Sequence, residues 1–508
     1  MGDVVNAANS QSAIQATIGS VTDAAVDPWS YSLSRFVPPH SKTWSRLQPT
    51  NPQQAQAGGS LFFDIPKLGW VTSCTLSMQL NWAAADANGS LQTDYFLCTP
   101  GTGWLNAVES IVVQSSSREL YRITRAGLIA AYSDMDAGVL QAIERGLDSK
   151  CDGRYGTGYG QPSDAAQGKK TIIIPIPLAC NQSNGLNIPA LFSEPVRYVI
   201  NFKPKWDFYF QAGSGNGAST FGGGVFAGSN AYPGYSVDVS ITDCELIMQQ
   251  VSLPSELTAS TLSQNYSAGS LSQLSYDYVE ESVMNDATLA AANTMPTERL
   301  SHVITSTASI EDIYVFAEVE PDQWTTAGDP ANSGNVDWFG GVGINVSVPL
   351  PLRDFRLEAS GQVLADCPTE FLGICGRPTQ AAGFYQAAGQ GGQNAKFART
   401  ADMLASFSPN TCRSAMNTCY VYRLCLSESA SKLYSGNQWN LRELSNVTVS
   451  CALPVVSATN NGECTTHAND FVPAWMAGKK IKMRVILRKA GLISTNSANG
   501  RTVAVLSN

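Results

Sequence analysis

Residues 61–82 read LFFDIPKLGWVTSCTLSMQLNW, and this stretch decides the fold class. In its second half, apolar side chains stand at every second position with small polar ones between them. The apolar positions are Cys74, Leu76, Met78 and Leu80. A period of two places successive side chains on opposite faces of an extended strand. The stretch therefore predicts a β-strand with one face in a core and the other toward solvent.

Similar strand patterns lie on both sides of this stretch. Residues 108–123, VESIVVQSSSRELYRI, predict two strands around a polar turn, and residues 196–202 and 237–241 predict two more. A second series of strand patterns runs from residue 275 to the C-terminus. The 43 glycines and 25 prolines provide the frequent turns that short strands require.

One stretch predicts a helix instead, because apolar residues recur there at intervals of three and four. They are Leu128, Ala131, Tyr132, Met135, Val139 and Ile143. We expect a mostly β protein with its clearest helix in the first half of the chain.

The composition is poor in charge. Asp, Glu, Lys and Arg make up 14% of the 508 residues, whereas about 25% is usual in soluble proteins. The net charge of −9 argues against a surface that coats nucleic acid, since phosphate binding needs clustered Lys and Arg. No apolar run reaches the roughly 20 residues of a membrane-spanning helix, and the N-terminus lacks the pattern of a signal peptide. We expect neither an integral membrane protein nor one secreted through such a peptide.

The chain divides into four predicted segments. Residues 1–54 are small and polar and predict an N-terminal arm that orders against a partner, with a disordered tail as the alternative. Residues 55–253 predict one β domain, and residues 274–508 predict a second. Between them, residues 254–273 are rich in Ser, Thr and Gln and predict a linker.

Cysteine and histidine patterns predict no chemical centre. Twelve cysteines are sparse in a chain of this length, and Cys74, Cys244, Cys425 and Cys451 stand inside apolar strand patterns, so we expect reduced, buried thiols. The separations of Cys412, Cys419 and Cys425 do not match a structural zinc site. The three histidines, His40, His302 and His467, are far apart in sequence. We therefore predict no metal site, no cofactor, no catalytic residue and no enzymatic activity.

The two halves of the chain echo one another. Residues 108–123 and 352–367 each place an apolar strand, a small polar turn and a Leu-containing return strand in the same order. Residues 185–203 and 439–454 likewise share a Leu and Asn, a loop and an alternating strand that starts near Val. The echoes are more than 200 residues apart, which indicates duplication of a whole domain rather than a short repeat. Two unrelated β domains remain the alternative.

Further ordered features accompany the echo. In the first domain, a Pro-flanked strand at residues 172–177 precedes the Asn-Gly turn at 184–185, and a Leu-x-Ile-Pro step at 186–189 leads toward the strand at 196–202. The second domain has an aromatic strand, an Asn-containing step and an alternating strand, at residues 420–426, 440–444 and 446–452. The C-terminal end has a strand, a glycine and a short apolar strand, at residues 481–487, Gly500 and 503–506.

In this order, the features resemble those of double jelly-roll major capsid proteins, a lineage that spans large DNA viruses, virophages, polinton-like elements, tectivirus-type phages and adenoviruses. The resemblance implies two tandem eight-stranded jelly-roll β-sandwiches with an N-terminal arm. It implies that the Gly-rich stretches at residues 151–169, 211–235 and 381–395 are tower loops.

The same resemblance implies a structural role in the virion. The chain would be a major capsid protein that forms a homotrimeric, pseudo-hexagonal capsomer in an icosahedral shell of a double-stranded DNA virus, assembled in the host cytoplasm or nucleus. Its partners would be neighbouring capsomers, penton and minor capsid proteins, and an inner membrane or the genome at the shell interior. No small-molecule substrate is implied.

Two alternatives stay open. A basic cluster near the C-terminus predicts either a patch that contacts genome or membrane, or an edge strand whose charges prevent unwanted pairing. It comprises Lys479, Lys480, Lys482, Arg484, Arg488 and Lys489. The alternative function is a carbohydrate-binding or adhesive viral β-sandwich protein, a spike or a minor capsid protein. Its best candidate binding residues are Trp206, Phe208, Tyr209 and Phe210.

Overall fold

The structure of the chain is a computed structural model. It describes residues 41–66, 70–86, 95–97, 107–115, 118–133, 167–177, 195–204, 209–212, 222–226, 235–252, 270–284, 286–319, 352–367, 422–425, 439–441, 444, 446–456, 471–472, 477–496 and 501–506.

The first half forms sandwich 1, built from strands β1–β11 and one α-helix, α1. The bounds are β1 Ser41–Leu47, β2 Ser60–Asp64, β3 Trp70–Asp86, β4 Tyr95–Leu97, β5 Val108–Ser115, β6 Arg118–Thr124, α1 Arg125–Ser133, β7 Gln167–Pro175, β8 Val196–Phe202, β9 Tyr209–Ala212, β10 Gly222–Phe226 and β11 Tyr235–Ser252. A short 3-10 helix, Pro52–Gln54, lies between β1 and β2.

The second half forms sandwich 2 from strands β12–β24. The bounds are β12 Ser270–Glu280, β13 Asp286–Thr288, β14 Arg299–Val303, β15 Ser309–Val319, β16 Arg353–Ala359, β17 Gln362–Cys367, β18 Tyr422–Cys425, β19 Trp439–Asn440, β20 Thr448–Ala452, β21 Val455–Val456, β22 Phe471–Val472, β23 Lys480–Asn496 and β24 Arg501–Leu506.

Each sandwich has two main sheets with the same strand order. Sheet 1A runs β1-β11-β3-β7 and sheet 1B runs β2-β8-β5-β6. Sheet 2A runs β12-β23-β15-β18 and sheet 2B runs β14-β20-β16-β17. When the eight main strands of each half are counted in chain order, both halves give 1-8-3-6 and 2-7-4-5. This is the order of a jelly roll, and it confirms the predicted fold class.

The echoing segments occupy equivalent places in this topology. Residues 108–123 form the β5–β6 hairpin and residues 352–367 form the β16–β17 hairpin, the last two strands of sheets 1B and 2B. The strands β8 and β20, from the second pair of echoes, are both second in their sheets. The hairpin turn at Ser360 and Gly361 has φ of 52° and 76°, a left-handed conformation for which glycine is the natural residue.

Both sandwiches have cores of large apolar side chains from facing sheets. In sandwich 1, alternate residues of β3 are buried, which confirms the half-buried strand that its sequence predicts. The largest fully buried side chains are Tyr198, Tyr314, Phe63, Phe202, Phe316, Phe355 and Leu61. Close packing of such residues provides most of the stabilisation of a β-sandwich.

In each sandwich, the strands that precede and follow the long connections end and begin at the same end of the sheets. In sheets 1A and 2A, the third main strand (β3, β15) ends where the eighth (β11, β23) begins. The end of β6 contacts the end of β12 through a 2.7 Å hydrogen bond from Thr124 Oγ1 to Glu280 Oε2. The ends that carry the long connections of the two sandwiches therefore lie close together at the junction. Ser41, Ser252 and Ser270, where the arm and linker join the sheets, lie at the opposite end.

Segment boundaries from the sequence need correction at two places. Residues 41–47, assigned to the arm, form the edge strand β1 of sheet 1A, because they pair with β11 from Ser252 to Leu246. Residues 270–273, assigned to the linker, belong to β12. Part of the stretch 211–235, predicted as a tower loop, is extended, since β10 pairs there with β9. Of the predicted loop 151–169, residues 167–169 belong to β7 and residues 151–166 lie outside the described residues, as does the predicted loop 381–395.

We predict that Phe63→Ala lowers the free energy of unfolding of sandwich 1 by about 3–5 kcal/mol, because the ring is fully buried and its removal leaves a cavity. The neighbouring Phe62→Ala is the matched control, since Phe62 points to the other face of β2 and is half-buried. Urea denaturation followed by circular dichroism measures both. Equal losses for the two variants would contradict this description of the core.

Candidate functional site

The junction between the two sandwiches is the most elaborate polar site in the described part of the chain. Helix α1 follows β6 and lies against β12 and β23 of sandwich 2. At Gly127 the approach is so close that an added Cβ would stand 2.8 Å from Ile123 Cγ1 and 3.1 Å from the Tyr278 carbonyl oxygen. Only glycine fits this position without a shift of the backbone of β12.

A buried ion pair joins the sandwiches beside this contact. Arg125 Nη1 donates to both carboxylate oxygens of Glu318, at 2.7 and 3.0 Å. The side chains are only 10% and 8% exposed. Arg484 completes the group, since its Nη1 lies 2.8 Å from Glu280 Oε1 and its Nε lies 3.8 Å from Glu318 Oε2. Two arginines and two glutamates therefore neutralise one another at the junction.

The charges of these partners decide the protonation of Glu318. Burial opposes ionisation, but the positive charges of Arg125 and Arg484 outweigh it and hold the pKa of Glu318 below its ordinary value. The pair is thus ionised at neutral pH. A buried charge that loses its partner is costly, so this network ties the orientation of sandwich 2 to that of sandwich 1.

Strand β15, in the middle of sheet 2A, is buried on both faces. Residues Ile313, Val315 and Ala317 of β15 lie on one face and are fully buried. On the opposite face of β15, which also carries Glu318, the side chains of Tyr314 and Phe316 are equally buried. Since Glu318 contacts Arg125, this second face is turned toward sandwich 1. The uninterrupted apolar pattern of β15 reflects burial on two sides.

A second buried charge pair lies on the same face of sheet 2A. Arg488 Nη1 is 3.5 Å from Asp312 Oδ2, with side-chain exposures of 8% and 2%. The guanidinium of Arg488 also lies 6.0 Å from the centroid of the Tyr278 ring, and Tyr278 in turn contacts the Tyr314 ring at 5.8 Å. The ion pair is thus buried beside two packed aromatic rings, one of which Arg488 approaches at a cation–π distance.

The strand pairing corrects one of the two predictions for the basic cluster. All of its residues except Lys479 lie on β23, which pairs with β12 on one side and β15 on the other, so β23 is not an edge strand. Arg484 and Arg488 face acidic partners, and Lys482 stands opposite Asp286 and Glu318 in the strand register. Contact of the lysines with genome or membrane stays a prediction.

Glu281 forms a third polar site, directly after β12. Its Oε2 accepts hydrogen bonds from Thr305 N at 3.1 Å and Thr305 Oγ1 at 2.7 Å, and it lies 3.7 Å from His302 Nε2. Burial raises the pKa of Glu281, but His302 and Thr305 outweigh that effect and lower it to about 2. Glu281 is therefore ionised, and it anchors the segment between β14 and β15.

The pKa of Asp277 is shifted in the opposite direction to that of Glu281. It stands opposite Lys489 in the β12–β23 register. Its Oδ1 is buried without a hydrogen-bond partner among the described residues. Burial raises the pKa of Asp277 to about 7, although Lys489 opposes the effect. The carboxyl group is half protonated near neutral pH.

Residues that could carry other chemistry show no assembled centre in the described ranges. Cys74, Cys244 and Cys451 are buried, as expected, and burial raises the pKa of Cys244 and Cys451 to about 12. Across the described residues no group of three His, Cys, Asp or Glu side chains could hold a metal ion. Within the same ranges, no helix has the length and apolar character needed to cross a bilayer.

Several residues named from the sequence fall outside the described ranges. They are His40, His467, Cys412, Cys419, Trp206 and Phe208. Tyr209 and Phe210, the other candidates for carbohydrate binding, belong to β9, where only the backbone is described. Sequence reasoning also missed Arg125, Glu280 and Glu318. In a chain with so few charges, an acid inside an apolar strand such as β15 is itself a signal of a buried partner.

Comparison with known proteins finds similar structures but no similar sequences. No protein-family model matches the sequence, and no curated sequence relative was found. The structure of PBCV-1 VP54 fitted into a reconstruction of the virophage Sputnik is 9% identical, with a TM-score of 0.53 and coverage of 91% of this chain and 95% of that one. The quasi-atomic model of the PBCV-1 virus capsid is 10% identical, with a TM-score of 0.51 and coverage of 93% and 98%.

The mavirus major capsid protein is also similar, at 12% identity, with 93% and 92% of the two chains covered and a TM-score of 0.48. The two PBCV-1 structures establish a shared fold, since the match extends over nearly the whole of both chains. The chain therefore has the double jelly-roll fold found in viral capsid proteins, in agreement with the strand order of its four main sheets.

We predict that Arg125→Met lowers the free energy of unfolding by about 3 kcal/mol, because Glu318 loses its closest partner in a buried place. The double variant with Glu318→Leu should recover most of the loss. Arg122→Met is the matched control: its 2.8 Å pair with Glu119 is exposed, so its loss should be below about 1 kcal/mol. Thermal unfolding measures all three, and equal losses for Arg125→Met and Arg122→Met would contradict the assignment.

We predict that Asp277→Asn stabilises the protein at alkaline pH and has little effect near pH 4. Folding raises the pKa of Asp277 from 3.8 to about 7, so the unfolded chain loses this proton at a lower pH than the folded protein does. The free energy of unfolding is therefore highest below about pH 4 and falls as the pH rises through about 7. The gain at pH 8 should reach up to roughly 4 kcal/mol. Urea denaturation at both pH values tests this, with the exposed Asp286→Asn on β13 as control. A gain that does not change with pH would contradict it.

Proposed function

We propose that this chain is a major capsid protein, and that three copies form a pseudo-hexagonal capsomer of an icosahedral double-stranded DNA virus shell. The observation that carries the proposal is the identical 1-8-3-6 and 2-7-4-5 strand order of two sandwiches in one chain. The structural likeness to the PBCV-1 capsid chain supports it.

The shape of the chain suits this role. Two similar sandwiches placed side by side supply two corners of a hexagonal outline. Three chains supply six, and a hexagonal unit tiles a flat facet. The buried Arg125–Glu318 pair and the close contact at Gly127 hold the two sandwiches in the fixed relation that such tiling requires.

The composition supports burial of much of the surface in an assembly. Only 14% of the residues are charged, and polar uncharged side chains lose water at lower cost than Lys or Glu. The outward residues of β3, which include Ser73, Thr75 and Ser77, are of this uncharged kind. A surface of this composition fits repeated contact with neighbouring copies.

The remaining parts of the chain take roles within the same proposal. Residues 1–40 form an assembly arm that joins β1 at the end of the sandwich opposite the long connections. Neighbouring capsomers, penton and minor capsid proteins are the partners, and the virion is the location. The role is structural rather than enzymatic. We place the first sandwich at residues 41–253 and the second at residues 270–508.

The experiment that tests this function is the mass of the purified protein by light scattering, with negative-stain imaging of the same sample. We expect about three times the mass of one chain and particles with a six-sided outline. A monomer at all concentrations, without ring-shaped particles, would contradict the proposal. Phe63→Ala serves as a comparison, because it weakens the buried core without changing the surface. Its measured mass shows how the loss of core stability alone affects assembly.

A further inference from the structure

The two sandwiches differ in what covers the outer face of their 1-8-3-6 sheets. In sheet 2A this face lies against β6 and α1 of sandwich 1, and its side chains are buried: Tyr314 and Phe316 are 0% exposed and Glu318 is 6% exposed. The equivalent face of sheet 1A has no such cover in the described part of the chain. Its strand β1 is exposed at five of seven positions.

The open face of sheet 1A carries apolar side chains. The strand register places Trp44, Ile247 and Val251 on one face of β1 and β11, since Trp44 pairs with Gln249 and Arg46 pairs with Ile247. Leu246 and Met248 point to the opposite face and are fully buried in the core of sandwich 1. Trp44 is 64% exposed, which is unusual for the largest apolar side chain.

The two hairpins at the ends of sheets 1B and 2B also differ in exposure, with the hairpin of sandwich 1 covered and that of sandwich 2 exposed. Each contains a bulge at the same place, and the extra residue is Leu120 in β6 and Leu364 in β17. Leu120, on the strand that lies against β12, is 5% exposed. Leu364, at the equivalent position of sandwich 2, is 41% exposed and stands next to Val363, which is 48% exposed.

One pair of these surfaces is therefore in contact within the chain, and the equivalent second pair is exposed. The pair in contact is the β5–β6 hairpin and sheet 2A. The exposed pair is the β16–β17 hairpin and sheet 1A, which are the topological equivalents of those two surfaces. Glu358 and Asp366 of the hairpin lie 3.2 and 3.6 Å from Arg356 of the same hairpin, and Arg46 of β1 lies 3.8 Å from Glu245, so these charges are paired within one chain and the apolar side chains carry the argument.

We propose that the outer face of sheet 1A, centred on Trp44, docks against the β16–β17 hairpin, centred on Leu364, of a second copy of this chain. The contact repeats between copies the junction that already exists within one chain. It joins two different surfaces, so it is head-to-tail and closes into a ring when the rotation permits. This inference rests on the proposed function and specifies which surfaces form its trimer.

The test uses the full chain with single changes on each surface. Trp44→Asp and Leu364→Asp place a charge at the centre of one surface each. Both residues are exposed in one chain, so the melting temperature of the monomer should stay unchanged. Val303→Asp is the matched control: Val303 is 49% exposed and lies on β14, at the opposite edge of sheet 2B. Trp44→Ser and Leu364→Ser serve if an aspartate variant fails to fold.

Light scattering should give the mass of three chains for the wild type and for Val303→Asp, and the mass of one chain for Trp44→Asp and Leu364→Asp. An equal mixture of Trp44→Asp and Leu364→Asp should give the mass of two chains. In that mixture one variant retains its hairpin and the other retains its sheet face, so one intact junction forms and the ring stays open.

The outcomes separate this inference from the proposed function. A wild type that is monomeric at every concentration overturns the function, and the inference with it. A trimeric wild type whose Trp44→Asp and Leu364→Asp variants also remain trimers overturns the inference alone. Loss of the trimer in both variants without a two-chain species in the mixture overturns the head-to-tail pairing of these surfaces.

Discussion

Arg125 reaches from sandwich 1 to Glu318 on β15, a strand that is buried on both faces, and much of the architecture depends on this contact. In such a place neither ion can be solvated if the other moves away, so the pair tolerates little change in geometry. Arg484 and Glu280 extend the network toward the surface and join it to Thr124. The relative placement of the two sandwiches is thereby set by charge as well as by shape.

The two sandwiches share a strand order but differ in the chemistry of one face. Sheet 2A meets sandwich 1 with aromatic rings and paired charges, whereas the outer face of sheet 1A presents small polar side chains together with Lys42, Arg46 and the exposed Trp44. A face that is covered as the chain folds can carry aromatic residues and buried ions. A face that is covered only on assembly is in contact with water before that, and polar side chains keep it soluble.

Much of the fold follows from the sequence alone, for physical reasons that particular elements illustrate. The alternation from Cys74 to Leu80 predicts a half-buried strand because period two has few other causes, and the structure agrees. The helix is present from Arg125 to Ser133, the part of the pattern that falls in the described residues. The echo between residues 108–123 and 352–367 correctly identifies equivalent hairpins.

The junction could not be predicted in the same way. Arg125 and Glu318 are 193 positions apart, and local patterns carry no information about such pairs. The edge-strand prediction for the basic cluster was wrong for this reason, since β12 and β15, which pair with β23 on either side, are distant from it in sequence. The arm boundary was wrong because β1 has an exposed, polar sequence that resembles a coil, and only its pairing with β11 identifies it as a strand.

In each sandwich the long connections begin and end at one end of the sheets. Natural selection can then act separately on these connections and on the sheets. Insertions between β3 and β5, or between β17 and β18, lengthen each sandwich at one end and leave the width of its sheets unchanged. A lineage built on this fold can diversify what it displays while the spacing of its lattice stays constant.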